Sequence, residues 1–293
     1  MSACMQCPRR CGADRSRENG LCGAPATPHV ARAALHMWEE PCLSGTRGAG
    51  TIFFCGCNLD CLFCQNYEIS HGAIGSRLDA GELADLMLCL QGMGAHNIDL
   101  VTPTPHLHVL LPALEKAKAA GLTIPVVYNT NGYELVESLR SLEGLVDIYL
   151  PDLKYISAVA AQKYSGAADY FQYAAPAILE MQRQCGVLQL DEEGIARRGL
   201  IVRHLVLPGS VDEARGALDF IAANLPKDTR VSLMSQYVPC HRAVTPPLNR
   251  RLTKREYQRA VDYCLSLGLT QVFVQEMEAA DAAYTPLFDG KIG

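Results

Sequence analysis

The 293-residue sequence lacks the features that would mark a secreted or membrane-spanning protein. No apolar segment follows a basic start, and no uncharged apolar run is long enough to cross a bilayer. Basic residues are scarce relative to acidic ones, since 26 against 31 give a formal charge of −5, which disfavours binding to nucleic acid. We therefore expect a cytoplasmic protein with neither a membrane nor a nucleic-acid partner.

The sequence also has no glycine-rich dinucleotide-binding signature, no internal repeat and no low-complexity linker. From residue 51 onward, short apolar runs alternate with helical periodicity, which favours parallel strands joined by right-handed crossovers. The fold class we expect is α/β: a partial parallel (β/α)6 TIM-type barrel over residues 49–293, preceded by an irregular cysteine-rich N-terminal extension over residues 1–48. The predicted strands are 51–54, 97–102, 124–130, 146–154, 200–208, 231–238 and 271–275, and the predicted helices are 80–93, 105–120, 135–142, 170–184, 212–224 and 252–267.

Cysteine, by contrast, is abundant, with 13 residues. Four lie within the first 22 residues and four more between residues 55 and 64. In a reducing compartment such clusters indicate metal or redox chemistry and not disulfides. The other five are scattered, and we expect them to be packing residues: Cys42, Cys89, Cys185, Cys240 and Cys264.

The second cluster contains a C-x3-C-x2-C motif formed by Cys57, Cys61 and Cys64. It occupies the loop after the first predicted strand, at the face of a barrel where active sites are built. Three thiolates at this spacing can bind one iron–sulfur cluster and leave one iron open for catalysis. The alternatives are three buried thiols or a closed zinc site completed by Cys55.

The motif, with Phe63 just before its last cysteine, resembles the radical S-adenosylmethionine (radical SAM) superfamily. The resemblance implies that the three cysteines hold a 4Fe-4S cluster. Its open iron would be chelated by the amino and carboxylate groups of S-adenosylmethionine, and Phe63 would lie beside the adenine.

Later segments at predicted strand ends resemble motifs of the glycyl-radical-enzyme activases in that superfamily. They are YNTNGYE (128–134), PDLKY (151–155) and RHLVLPG (203–209). The resemblance implies cofactor contacts from Asn129, Asn131, Asp152, Lys154 and Arg203, with Asp152 and Lys154 on the methionine amino and carboxylate groups. LVTPTPH (100–106) stands where many relatives carry a GGEP segment, so Thr102 and Thr104 are the candidates to supply oxygens there.

The most extensive resemblance, over nearly the whole chain, is to uncharacterised relatives of the pyruvate formate-lyase activating enzyme. It implies a radical SAM oxidoreductase that receives electrons from flavodoxin or ferredoxin. It also implies a protein or peptide substrate, with a glycyl radical enzyme as one candidate. A small-molecule substrate and a non-catalytic iron–sulfur electron carrier remain alternatives. His106, His204 and His241 lie near strand ends and are candidates for steps on the substrate, although a lone histidine is more often structural.

The first cysteine cluster consists of Cys4, Cys7, Cys11 and Cys22. Four thiols interspersed with glycine and proline fit a tetrahedral zinc or a second iron–sulfur cluster. We favour zinc because of the compact four-ligand count, with an auxiliary cluster for electron entry as the alternative. A frayed terminus with free thiols is the third possibility.

Overall fold

The computed structural model describes residues 3–277 and 286–292. Its strands are β1 (His29–His36), β2 (Ala49–Phe54), β3 (Ser76–Arg77), β4 (Ile98–Val101), β5 (Val126–Thr130), β6 (Ile148–Pro151), β7 (Gln189–Leu190), β8 (Ala196–Leu205), β9 (Arg230–Met234) and β10 (Val272–Val274). Its α-helices are α1 (Pro41–Ser44), α2 (Tyr67–Ser70), α3 (Ala80–Gly92), α4 (Leu107–Ala119), α5 (Val136–Arg140), α6 (Ala158–Ser165), α7 (Tyr170–Cys185), α8 (Val211–Asn224) and α9 (Lys254–Ser266).

The expected α/β architecture is confirmed. One sheet runs in the order β10-β9-β8-β6-β5-β4-β2-β1-β3, and neighbouring strands from β2 to β10 along this order are parallel. Within the described residues the sheet is open, as in a partial barrel. The seven predicted strands correspond to these parallel strands, although several are shorter than predicted.

Burial on both faces explains why the parallel strands read as apolar runs. Every residue of β2, β4, β5 and β6 is buried, and the largest apolar cluster of the protein packs the helices against them. Helices α3 and α9 begin at capping boxes, in which Asp79 pairs with Glu82 and Thr253 with Glu256. Because the strands are parallel, their carboxyl ends meet at one edge of the sheet, where loops can form a site.

The N-terminal region differs from the expected irregular structure. Strand β1 lies within it and pairs antiparallel with β2, so that Ala33 stands opposite Ile52. The backbone N–H of Ala33 also donates to the carbonyl of Lys291. Antiparallel pairing on the edge of a parallel sheet is a tertiary contact, which no local pattern in HVARAALH specifies. The sequence patterns also did not predict helix α6.

No helix among the described residues is long and apolar enough to span a membrane.

Candidate active site

A cavity of about 1070 Å³ opens at the carboxyl ends of the parallel strands. Ten of the residues singled out in the barrel region line it: Cys57, Cys61, Phe63, Cys64, Thr102, Asn129, Asn131, Asp152, Lys154 and Arg203. They come from the loops after β2 and β4 and from β5, β6 and β8 or the residues that follow them. Residues far apart in the sequence thus converge on one space, as the barrel expectation requires.

The cysteine-bearing loop leaves β2 through Gly56, which has a φ of +94° that favours glycine. The backbone N–H of Cys57 then donates to the carbonyl of Cys22 at 3.0 Å, so the N-terminal extension holds the start of the loop. Cys55 turns away from the cavity, and its thiol lies 3.3 Å from the carbonyl of Ile74. This placement removes Cys55 as a fourth ligand of the other three thiols.

Hydrogen-bond donors surround the three cavity thiols. The amide of Asn131 lies 3.4 Å from Sγ of Cys57, and the hydroxyl of Ser165 lies 2.9 Å from Sγ of Cys61. Burial, followed by the charge of Cys61, raises the pKa of Cys57 to about 12, and burial also raises the pKa of Cys64. Donors aimed at sulfur stabilise the thiolate form, in which cysteine binds an iron–sulfur cluster.

No group of three or more His, Cys, Asp or Glu side chains in the described part of the chain is already arranged to hold a metal ion. The chemistry of the donor set nevertheless fits an iron–sulfur cluster, because Cys57, Cys61 and Cys64 share one cavity and leave no place for a fourth protein thiol from Cys55.

Asp152, Lys154 and Arg203 form a buried ion network beside these thiols. Asp152 accepts from Nζ of Lys154 at 2.6 Å and from Nε of Arg203 at 2.8 Å. Arg203 also donates to Oδ1 of Asn129 at 2.6 Å. Burial acts to raise the pKa of Asp152, but Arg203 and Lys154 outweigh it and hold that pKa below its usual range. The network therefore presents one carboxylate and one ammonium side by side in the cavity.

The hydroxyl of Tyr170, on α7, fixes the chain on both sides of this network. It lies within hydrogen-bonding distance of the carbonyls of Asn131 (2.8 Å) and Asp152 (2.6 Å), and it accepts from the backbone N–H of Lys154 at 3.0 Å. Gly132 makes this approach possible, because a Cβ there would contact the carbonyl of Asp152 and come within 2.9 Å of the Tyr170 hydroxyl. No sequence pattern indicates this role of Tyr170, because the residue lies far from the motifs.

Asn131 and Phe63 both line the cavity. The Asn131 amide donates to Oδ1 of Asn58 at 2.8 Å as well as approaching Cys57. The ring of Phe63 is nearly buried and meets the ring of Tyr237 edge to face, with centroids 5.8 Å apart. An aromatic pair at the cavity wall is a suitable surface for a flat base.

Thr102 and Thr104 lie in different environments. Thr102 lines the cavity with a φ of +58°, whereas Thr104 does not line it and is fully buried. The hydroxyls of Thr104 and Thr130 each lie 2.5 Å from Oε1 of Glu134. Thr104 therefore belongs to a buried network around Glu134 and is not placed to contact a cofactor in the cavity.

The three histidines near strand ends also lie outside the cavity lining. His106 and His204 are buried and bond to the carbonyls of Cys55 and Leu153 at 2.7 and 2.6 Å. His241 stacks on Tyr67 with centroids 4.9 Å apart. These contacts support structural roles.

The structure adds acidic residues that sequence reasoning missed. Glu39 and Glu40 follow β1 and line the cavity, and Asp99 lies buried beneath them on β4. Glu39 lies 3.5 Å from Nη1 of Arg203, and the Asn129 amide lies 3.4 Å from Oδ2 of Asp99. A charged residue inside the apolar run NIDLVT was the available signal for Asp99. Glu39 and Glu40 gave none, because their region was expected to be irregular.

The four N-terminal cysteines influence one another electrostatically. Burial raises the pKa of Cys7 to about 11, and the charges of Cys22 and Cys4 add to this effect. The pKa of Cys11 is lowered, because backbone N–H groups bonded to its sulfur outweigh burial. Reciprocal backbone bonds link Cys4 with the Gly12–Ala13 segment. The thiols thus gather in one region, adjacent to the loop that carries Cys57.

Comparison with known proteins gives two sequence matches. The profile of the Radical SAM superfamily matches residues 51–183. The uncharacterized protein MJ0674 of Methanocaldococcus jannaschii is 32% identical over 281 residues, which cover 92% of this chain and 76% of that protein.

Two solved structures of SuiB from Streptococcus suis also resemble the chain. One is bound to the precursor peptide SuiA (TM-score 0.49, 14% identity) and one to S-adenosylmethionine (TM-score 0.48, 16% identity). Each match covers 72% of this chain and less than half of SuiB, at 44% and 45%.

Proposed function

The chain belongs to the radical SAM superfamily, and we propose that it is an oxidoreductase that acts on a protein or peptide substrate. A narrower form of this proposal is that the chain activates a glycyl radical enzyme. The family implies a 4Fe-4S cluster and S-adenosylmethionine. When both are bound, the cluster, reduced by an outside electron donor, would supply the electron that cleaves S-adenosylmethionine into methionine and a 5′-deoxyadenosyl radical able to abstract a hydrogen atom from the substrate. The convergence of three thiols and an Asp–Lys pair on one cavity carries this proposal.

In this proposal Cys57, Cys61 and Cys64 hold the cluster. Asp152 would then bind the amino group and Lys154 the carboxylate group of the cofactor's methionine. Each side chain would exchange their mutual contact at 2.6 Å for an ion pair with the cofactor. Arg203 keeps Asp152 ionised and in place from the other side. Phe63, Thr102, Asn129 and Asn131 complete the cofactor contacts.

The size of the cavity supports a second reactant beside the cofactor. Its volume of about 1070 Å³ lies slightly above the range for a single bound ligand, which is roughly 300–1,000 Å³. A substrate that enters the remaining space would be shielded from water when the hydrogen atom is transferred. We propose a protein or peptide for this substrate, and flavodoxin or ferredoxin for the electron donor.

For the N-terminal cysteines we propose a metal, with zinc favoured over a second iron–sulfur cluster. Backbone hydrogen bonds between Cys4 and the Gly12–Ala13 segment bring the parts of the chain that carry Cys4 and Cys11 together, which supports a shared site. Since Cys22 accepts a hydrogen bond from Cys57, a metal there would also stiffen the loop that carries the three cavity thiols.

Matched variants test the proposal. Cys61→Ala is expected to abolish both the visible absorbance of the cluster and the formation of 5′-deoxyadenosine, whereas Cys89→Ala, at an exposed cysteine, leaves both unchanged. Lys154→Ala is expected to retain the absorbance and to weaken cofactor binding. Full cleavage activity in Cys61→Ala would refute the site. A stable cluster that never cleaves the cofactor would instead indicate an electron carrier.

A further inference from the structure

The end of the cavity beyond Arg203 is acidic. Glu39 and Glu40 line it, and Asp99 is fully buried next to them. The guanidinium of Arg203 contacts both sides of the cavity: Nη1 faces Glu39 at the acidic end, and Nε faces Asp152 on the side proposed to bind the cofactor. Lys154 is paired to Asp152, and the charge of Arg203 is shared with three further carboxyl groups, those of Glu39, Glu40 and Asp99.

One of these carboxyl groups has an oxygen with no partner. Glu40 is 9% exposed, and its Oε2 has no hydrogen-bond partner among the described residues. An unsatisfied buried carboxylate is costly, which is why such groups usually bind an ion or take up a proton. Burial accordingly raises the pKa of Glu40, of Glu39 and of Asp99, and it outweighs the opposing charge of Arg203 and the hydrogen bonds that each carboxyl group accepts. The structure therefore contains a place where an added positive charge would be stabilised.

Apolar surface adjoins these carboxyl groups. Met37 and Trp38 precede them in the chain and line the same cavity, as does Phe273 on β10. A long side chain that ends in a cation suits such a site, because its methylene groups pack on apolar walls while its head reaches the carboxylates. An indole also attracts a cation electrostatically.

We propose that Glu39 and Glu40 bind a primary ammonium or guanidinium group of the substrate and so position it beside the cofactor. This inference rests on the proposed function, since it concerns the second reactant in the same cavity. A lysine or arginine side chain of a peptide fits the protein or peptide substrate proposed above. A free diamine carries the same chemistry.

The test measures equilibrium binding of small probes to the reconstituted, cofactor-bound protein by ligand-observed NMR. The probes are Nα-acetyl-lysine and Nα-acetyl-arginine N-methylamides, the neutral Nα-acetyl-norleucine N-methylamide, and putrescine. We expect one of the charged amino-acid probes to bind at least about tenfold more tightly than the norleucine probe, as for a charge-assisted hydrogen bond of about 1.5 kcal/mol. Preferential binding of putrescine would retain the cationic site and contradict a peptide substrate.

Variants assign the preference to the two carboxyl groups. Glu40→Gln and the double variant Glu39→Gln/Glu40→Gln keep the shape of the site, and both are expected to remove the preference for charge. Glu143→Gln, which removes one charge at an exposed position, retains it. Thermal melting establishes that each variant is folded.

Two results would overturn the inference: equal binding of the charged and neutral probes by the unmodified protein, or a preference that survives in the double variant. Loss of S-adenosylmethionine binding in Glu40→Gln would also overturn it, by assigning the carboxylate to the cofactor. Formation of 5′-deoxyadenosine without substrate, measured in parallel, tests the proposed function separately. If it occurs in a protein that shows no preference for charge, only the present inference fails.

Discussion

Tyr170→Phe tests whether the hydroxyl on α7 holds the Asp152–Lys154 segment in its binding position. The substitution keeps the fully buried ring and removes only the oxygen that contacts the carbonyls of Asn131 and Asp152 and the N–H of Lys154. One lost hydrogen bond contributes about 1 kcal/mol, and a buried group left without a partner costs about 1–3 kcal/mol. We therefore expect the free energy of unfolding to fall by about 3 kcal/mol.

The loss also has a functional consequence, since the released backbone carries both residues proposed to bind the cofactor's methionine. We expect weaker binding of S-adenosylmethionine at an unchanged iron content. Urea unfolding and equilibrium cofactor binding measure the two effects. Tyr263→Phe is the matched control, because its hydroxyl contacts Asp219 at the surface, and we expect a change below about 0.5 kcal/mol. Tyr170→Phe with the stability and cofactor affinity of the unmodified protein would refute the reasoning.

Three further predictions concern the surroundings of the site. Gly132→Ala should reduce stability by at least about 1 kcal/mol and weaken cofactor binding, because φ is +81° there and the new Cβ would collide with the Asp152 carbonyl. Gly144→Ala is the control in urea unfolding, because Gly144 has a φ of +80° but open space around the new Cβ. The difference between the two variants separates the effect of the collision from that of the backbone strain. Burial raises the pKa of Glu134 from 4.5 to about 7, so its contribution to stability is full below pH 4.5 and is lost as the pH rises towards 7. Unfolding measured across this range should show a loss of up to about 3 kcal/mol that Glu134→Gln lacks, and identical pH profiles would contradict the assignment. Ser165→Ala removes the hydroxyl 2.9 Å from Sγ of Cys61, and we expect the cluster's reduction potential to fall, because that hydrogen bond favours the more negative reduced state. A potentiometric titration followed by electron paramagnetic resonance measures it, and an unchanged or higher potential would contradict the contact.

The parallel strands could be predicted because their signals are local. Runs such as IPVVYNT are apolar over a strand's length and end in polar residues, so both the strand and the side of the sheet that bears the site follow from one segment. The same logic brought Cys57, Asn129, Asp152 and Arg203 to one edge, and all four line the cavity.

The remainder depends on contacts between distant segments. Strand β1 and the carboxyl groups of Glu39 and Glu40 reach the site only through antiparallel pairing with β2. Tyr170 acts through a helix that passes behind the strands. The sequence neighbours of Thr104 predict a cofactor contact, but a 3-10 helix over Thr104–His106 places this residue in the buried network of Glu134. Such placements follow from the packing of the whole barrel.

Anaerobic reconstitution with iron and sulfide, followed by dithionite and S-adenosylmethionine, tests the central claim most directly. Iron, zinc and 5′-deoxyadenosine are then quantified. We predict about four irons per chain together with formation of 5′-deoxyadenosine, and either additional zinc or about four more irons for the N-terminal cysteines. Zinc alone, with no cluster and no cleavage of S-adenosylmethionine, would contradict the claim.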